Sequence, residues 1–464
     1  MTSPPEGPHM THATTRAGNP SDSLNTKDLR RILASSAIGS IIEYYDFILY
    51  ATAASLIFDK VFFSNLPPGV ALFASFGTLA VGYIARPLGG VVFGHFGDRV
   101  SRKRMLVVSM LLMGVATVAI GLLPTQSQIG LAAPILLVIL RVVQGLSVGG
   151  EWGGATLMAL EHAPESKRGF AAAFANAGGP AGGLVATFVV SGVSALTGPA
   201  FLDWGWRIPF LLSAVLILIG LLIRLKVAES PVFQALDSEA EESRKRKRFP
   251  VVVVFRRHWR PLVLTLVASL GFYTMQGFLT SWGVSVANAE GVSREGILNV
   301  KGIAAVVTII GCFAAARASD RLGRRAVLAA GGVLGILWVY PALVLLHNGT
   351  LWGFSVAVIV GNGLVQGLLA GPIGAYISEQ FPPEVRYTGS SLSYQAASTL
   401  GAGLTPMLAT LLVMVDGSFA LVGVAWALIL VAGLVAVFLS REGTRLGADA
   451  APRAETGKTR AAVR

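Results

Sequence analysis

Four ionisable side chains stand in runs that are otherwise apolar. Glu43 and Asp46 interrupt AIGSIIEYYDFILYATAASL (37–56), Arg86 sits in VGYIARPLGG (81–90) and Arg141 in LLVILRVVQGLSVGG (136–150). A charge at a bilayer centre costs roughly 2.5–3.5 kcal/mol on insertion scales, so acids and bases there mark a pathway or a relay. Three residues apart on a helix, Glu43 and Asp46 share a face with Gly39, Tyr50 and Ala53, while the opposite face is Ile and Leu. Both acids are therefore expected to point into a helix bundle. A buried carboxylate alone takes up a proton, and one beside an arginine stays charged, so either state can handle protons. Arg141 is a candidate partner for Asp46, because arginine keeps its proton, and Glu43 is a second group that can take one up. A static ion pair that fixes two helices is the competing reading.

Other polar residues join this set by position. Gln144, Trp152 and Tyr50 lie near the faces of Arg141 and Asp46 and are candidates for substrate contact. Tyr273, Gln276, Gln366, Tyr376, Tyr394 and Gln395 cluster in three later spans without a comparable acid or base, so they are expected to shape the substrate. Interhelical hydrogen bonding is their alternative role. Arg86 and Glu151 form a second candidate pair, expected to be structural and nearer one membrane surface. GLSVG (145–149) matches a nucleophile-elbow pattern, but that motif needs a strand-turn-helix, not a membrane helix. With no phosphate loop, no zinc-type His/Glu motif and one cysteine, Cys312, the sequence offers no enzyme, no metal site and no cofactor site.

The elements that must position these residues are long apolar helices. Only 13% of the 464 residues are charged, against about 25% in ordinary soluble domains. Twelve spans are expected, near 32–58, 70–93, 105–123, 134–160, 168–197, 206–227, 261–287, 298–316, 326–346, 351–378, 388–414 and 417–440. Runs of that length satisfy their backbone in lipid as helices, giving an all-α polytopic membrane protein. Of the 37 lysines and arginines, 31 fall on one side with both termini. Lys60, Arg207, Arg294 and Lys301 fall on the other, and Arg86 and Arg141 lie within spans. That bias places both termini in the cytoplasm. It also explains the charge of +12 without nucleic acid, RKRKR (244–248) included, as basic loops beside anionic lipid. The N-terminal stretch lacks the apolar core of a cleavable signal. The expected divisions are a tail at 1–27, a six-helix bundle at 28–227, a loop at 228–260, a second bundle at 261–440 and a tail at 441–464.

The two bundles repeat a loop. GDRVSRKR (97–104) and SDRLGRR (319–325) each fall between the second and third span of their half. The acid in each, Asp98 or Asp320, can accept from the amides of a helix N-terminus. With Arg99, Arg102, Arg321 and Arg324 they are candidates for a cytoplasmic gate between halves. Two six-span halves around a midplane site are a transporter architecture.

With these residues in view, the sequence resembles the major facilitator superfamily. The loop pattern Asp-Arg-x-Gly-Arg-Arg is that family's signature, although Ser101 replaces the usual Gly in the first copy. RVVQGLSVGGEWGG (141–154) looks like its fourth-helix motif. EYYDF (43–47), RPLGGVVFGHFGDR (86–99), WGWRIPF (204–210), ESPVF (229–233) and FPPEVRYTGSSLSYQ (381–395) are similar to the metabolite:proton symporter branch, closest in look to its shikimate-type subgroup. That branch usually has Trp where this chain has Tyr44. The resemblance implies twelve helices in two pseudo-symmetric bundles and proton-coupled uptake of a small organic metabolite, a carboxylate, by alternating access. The implied setting is the inner membrane, as a monomer. In the sugar-carrier branch a first-helix Asp pairs with the fourth-helix Arg, and Asp46 and Arg141 occupy those motif positions. A carrier of zwitterionic osmolytes, a proton-coupled exporter and, from another class, a membrane sensor that moves nothing are the alternatives.

Overall fold

A computed structural model describes residues 26–97, 102–225 and 250–442. Among them are twelve long helices. The first six are α1 (Thr26–Leu56), α2 (Pro68–Gly97), α3 (Arg102–Leu122), α4 (Ala132–His162), α5 (Arg168–Thr197) and α6 (Arg207–Leu225). The second six begin with α7, which runs from Trp259–Met275 through a π-helical segment, Gln276–Trp282, to Gly283–Ala289. Then come α8 (Arg294–Leu322), α9 (Arg324–His347) and α10, built from Leu351–Val358, the π segment Ile359–Val365 and Gln366–Glu379. The last are α11, built from Arg386–Ser398, the π segment Thr399–Gly403 and Thr405–Asp416, and α12 (Ala420–Leu439). Part of the stretch expected as loop is helical: Pro250–Arg257 buries Val254 fully, leaves Val252 exposed and ends on two arginines.

Eight helices of the described residues are long and apolar enough to cross a membrane. The stretches Gly77–Phe93 in α2 and Arg207–Leu222 in α6 are apolar but shorter. The first and eleventh helices are absent from that set, and their composition explains it. Helix α1 carries Glu43, Asp46 and three tyrosines, and the first part of α11 is RYTGSSLSYQAAS. These two polar helices are the ones the bundle must surround.

Small residues decide which backbones approach. A Cβ at Gly145 would run into the Gly82 carbonyl, and one at Gly149 into that of Arg86, so α4 lies directly on α2. The same ladder ends at Gly153, where a Cβ would strike the Ser391 hydroxyl of α11. Elsewhere in the first half, Gly178 and Gly182 seat α5 on α1 at Ser40 and Ile41. The halves meet along two seams. At one, α11 packs on α2 and α4. At the other, α5 packs on α8 and α10, where Asn176 donates to the Ala370 carbonyl (2.7 Å).

Candidate functional site

Asp46 lies inside the first bundle and is 1% exposed. Ser213 of α6 donates to its Oδ1 (2.6 Å) and Thr117 of α3 to its Oδ2 (3.0 Å). Thr117 Oγ1 in turn accepts from Gln144 Nε2 (2.7 Å), and Gln144 Oε1 accepts from Arg141 Nη1 (3.2 Å). The expected pair is thus joined through two side chains, Thr117 and Gln144, instead of by direct contact. The reason is geometric. Asp46 faces α3 and α6, while Arg141 lies against α1 one turn further on, with its guanidinium over the rings of Phe47 (4.4 Å) and Tyr50 (4.0 Å). Tyr50 is held there by donating to Thr78 (2.6 Å). Room for the guanidinium comes from Gly82, where a Cβ would collide with it. Gln144, expected at the substrate, is occupied by this relay. Glu43 is 2% exposed, one helical turn before Phe47 on α1.

Arg86, expected in a structural pair with Glu151, has a 2%-exposed side chain that reaches the junction of the halves. Its guanidinium lies over Phe47 (3.9 Å) and Tyr83 (4.7 Å), and Nη1 donates to Ser398 of α11 (3.0 Å). Pro87 inside α2 removes one backbone amide from the ladder at this point. Glu151 and Trp152 lie on α4, and their side chains are outside the described set.

In the second half the expected cluster separates. Tyr394 and Tyr273 meet edge to face (5.1 Å), and Tyr394 Oη lies 3.4 Å from Tyr44 Oη of α1. These three rings cross from one half to the other at the level of Arg86. Gln395 donates to the Val148 carbonyl of α4 (3.1 Å), and Thr399 to the Tyr83 carbonyl of α2 (2.7 Å), so both stitch the seam. Gln366 accepts from Asn362, whose carbonyl accepts from Thr308 of α8 (2.8 Å), so it serves contacts within its own half. Gln276 opens the π segment of α7 and is partly exposed. Tyr376 does not join the tyrosines. It sits in the same helix ten residues past Gln366, about 15 Å along the axis, and one turn from Glu379 at the end of α10.

On the side where α1 begins and α12 ends, the halves are tied by charge. Asp320 accepts from the amides of Gly169 (2.8 Å) and Phe170 (2.9 Å) at the start of α5. Arg324 holds the same carboxylate (2.6 Å) and reaches Glu379 (3.3 Å). Nearby, Arg386 of α11 lies 3.6 Å from Glu161 of α4, both buried. Arg321 is exposed. Asp98 and Arg99 lie outside the described residues, and Arg102 is the first residue of α3, its side chain outside that set. Sequence reading missed Thr117, Ser213, Ser398, Glu161, Arg386 and Glu379. Single hydroxyls in apolar helices look like ordinary helix-to-helix bonds, and the acids fall at helix ends where charge is unremarkable. Glu442 was missed too. It accepts from the Arg324 amide (2.6 Å) and so caps the start of α9.

Comparison with known proteins agrees with the all-helical fold. The model of the Major Facilitator Superfamily matches residues 36–393 and 291–462. An inner membrane metabolite transport protein of Escherichia coli, YhjE, is 40% identical, covering 89% of this chain and 94% of the relative. The shikimate transporter of the same organism is 38% identical (84% and 89%), and its proline/betaine transporter 32% identical (83% and 78%). Among solved structures, the proton:xylose symporter XylE superposes with a TM-score of 0.71 at 18% identity, covering 91% of this chain and 98% of that one. The chain belongs to the major facilitator superfamily, a family of membrane transporters, not of enzymes.

Proposed function

We propose that this chain is a proton-coupled symporter of a small organic carboxylate, working by alternating access in the inner membrane with both termini in the cytoplasm. The relatives that move metabolites, shikimate among them, support the substrate class. The excess of lysine and arginine on the terminal side supports the orientation. The protein acts as a monomer, with substrate, protons and lipid as its partners.

The observation that carries the reading is the line from Asp46 through Thr117 and Gln144 to Arg141. A hydroxyl has one hydrogen and two lone pairs. Thr117 Oγ1 lies within reach of Asp46 (3.0 Å) and of the Met113 carbonyl (2.9 Å), and it also accepts from Gln144. Its one hydrogen points at Asp46 while that carboxylate is charged. When Asp46 is protonated it donates instead, and the Thr117 hydrogen turns to Met113. The relay thereby reports the proton to Arg141.

Charge balance gives the coupling its direction. Glu43, Asp46, Arg86 and Arg141 are all buried, two of each sign. A carboxylate entering alone would leave an uncompensated charge in a medium of low dielectric, which costs several kcal/mol. A carboxylate entering with one proton leaves the set neutral. Substrate and proton therefore bind together. Their joint binding loosens the Asp320 latch, and the cavity opens to the terminal side.

A second reading has one observation in its favour. The Tyr44, Tyr273 and Tyr394 rings can face a quaternary ammonium by cation–π attraction, so a zwitterion such as a betaine fits the same site with its carboxylate on arginine. Uptake into proteoliposomes of labelled shikimate and labelled glycine betaine, with and without an inward pH gradient, tests both. Gradient-driven accumulation of the carboxylate supports symport, preference for betaine supports the second reading, and uptake of neither contradicts both.

A further inference from the structure

We propose that Arg86 is a second substrate anchor, and that one carboxylate of the substrate is held between the guanidiniums of Arg86 and Arg141 beside the Phe47 ring. The inference rests on the symport reading and names the group that site recognises.

Both arginines are tied by the same nitrogen and open on the same edge. Arg86 uses Nη1 on Ser398 (3.0 Å), and Arg141 uses Nη1 on Gln144 (3.2 Å). In each, the buried Nε and Nη2 have no hydrogen-bond partner. Those two nitrogens form one side of the guanidinium fork, the side that matches the two oxygens of a carboxylate. A buried donor left unpaired costs free energy, and it is costlier still when charged. Two whole forks in this condition, each on a side chain no more than 2% exposed, are donors set for an acceptor that is not protein.

Their spacing fits one carboxylate. Both guanidinium carbons lie over the same Phe47 ring, at 3.9 and 4.4 Å from its centroid, so they are no more than about 8.3 Å apart. With N···O contacts of about 2.8 Å, a carboxylate carbon sits about 4 Å from the guanidinium carbon it pairs with. A carboxylate at the edge of the Phe47 ring, about 4 Å from each guanidinium carbon, would meet both forks. The Phe47 ring supplies an apolar wall to exclude water.

The placement also says how binding is felt by the other half. Arg86 belongs to α2 but is bonded to Ser398 of α11, next to Thr399, which holds the Tyr83 carbonyl across the same seam. A carboxylate drawing on Arg86 pulls on a side chain that both bundles share. Arg141 has no such bond in its described contacts, since Gln144 lies on its own helix. Arg86 is thus the anchor that links occupancy to movement of the halves.

The test uses the purified full chain and four probes: shikimate, benzoate, benzamide as the uncharged control, and glycine betaine. Ligand-induced thermal stabilisation and calorimetric affinity are measured for the wild type, Arg86→Lys, Arg86→Gln and Ser398→Ala. The wild type is expected to bind at least one carboxylate and not benzamide. Arg86→Lys keeps the charge but not the fork, and it is expected to bind that carboxylate at least tenfold more weakly while its ligand-free melting temperature stays near the wild type. Ser398→Ala is expected to bind a few-fold more weakly and to transport far more slowly than that loss explains. Arg86→Lys and Arg86→Gln that bind like wild type would overturn the inference and leave the symport reading standing. Benzamide binding as tightly as benzoate would overturn it as well. A wild type that binds no probe carrying a carboxylate would instead contradict the proposed function itself.

Discussion

Thr117 is the residue on which the coupling argument turns, because its single hydrogen cannot serve Asp46 and Met113 at once. Thr117→Val keeps the shape and removes the hydroxyl. It should leave substrate exchange across the membrane intact and bring gradient-driven accumulation close to equilibration. Thr117→Ser restores the hydroxyl and should accumulate like wild type. Both are read as the ratio of internal to external label at plateau, and equal accumulation by the valine variant would remove Thr117 from the relay. Arg141 is tested by changing its shape and not its charge. Its guanidinium bonds Gln144 through Nη1 while lying over Phe47 and Tyr50, and lysine can do only one of these. Arg141→Lys should lose at least ten- to a hundredfold in initial uptake rate at normal expression, as expected for the loss of a charge-assisted contact worth about 1.5–3 kcal/mol. Uptake at the wild-type rate would mean that a point charge suffices.

At the scale of elements, the latch is a helix start held by a carboxylate from the other half. Asp320 accepts two amides of α5, where the helix dipole favours an anion. Glu442, following α12, caps the start of α9 through the Arg324 amide and so fixes the residue that braces Asp320. The native Cys312 is a reporter for this seam: it is the one cysteine of the chain, fully buried in α8 with Sγ 3.9 Å from the Ala173 carbonyl of α5. Asp320→Ala should speed labelling of Cys312 by a thiol reagent several-fold, and Glu442→Gln should do so to a smaller degree. Unchanged labelling in Asp320→Ala would show that the contact does not hold the seam closed. These elements were legible in the sequence to differing degrees. Long apolar runs and the repeated loop gave the helices and their order, since lipid leaves the backbone no other solution. The π segments in α7, α10 and α11 were not legible, because one extra residue in a turn leaves the hydropathy pattern almost unchanged.

At the scale of the whole molecule, the structure gathers charge in two places, a balanced set in the first bundle and a latch on the terminal side. The presence of Glu43, Asp46 and Arg141 in that buried set was readable, because a charge in an apolar run has few reasons to persist. Their connection was not. Helix phase places Asp46 and Tyr50 on one broad face, but only the packing of α3 and α6 against α1 turns Asp46 to Thr117 and Ser213. The position of Arg86 near the end of its span gives no sign that its long side chain reaches across to Ser398 of the other half. Tyr376 shares a span with Gln366, but the rise of α10 sets the two about 15 Å apart along the axis. The asymmetry between halves follows: the buried set of Glu43, Asp46, Arg86 and Arg141 belongs to the first, and the three helices with π segments belong to the second.

Coupling of substrate to the gradient requires that the proton travel with Asp46. The decisive measurement is plateau accumulation of a carboxylate substrate in proteoliposomes under an inward gradient of one pH unit. One unit is worth about 1.4 kcal/mol per proton, a factor of ten in concentration. The wild type should accumulate substrate about tenfold for one proton carried. Asp46→Asn, which mimics the protonated state at nearly constant volume, should equilibrate without accumulating and still exchange labelled for unlabelled substrate. If Asp46→Asn accumulates substrate as the wild type does, Asp46 is a structural residue, the relay to Arg141 carries no proton signal, and Glu43 is the next group to test.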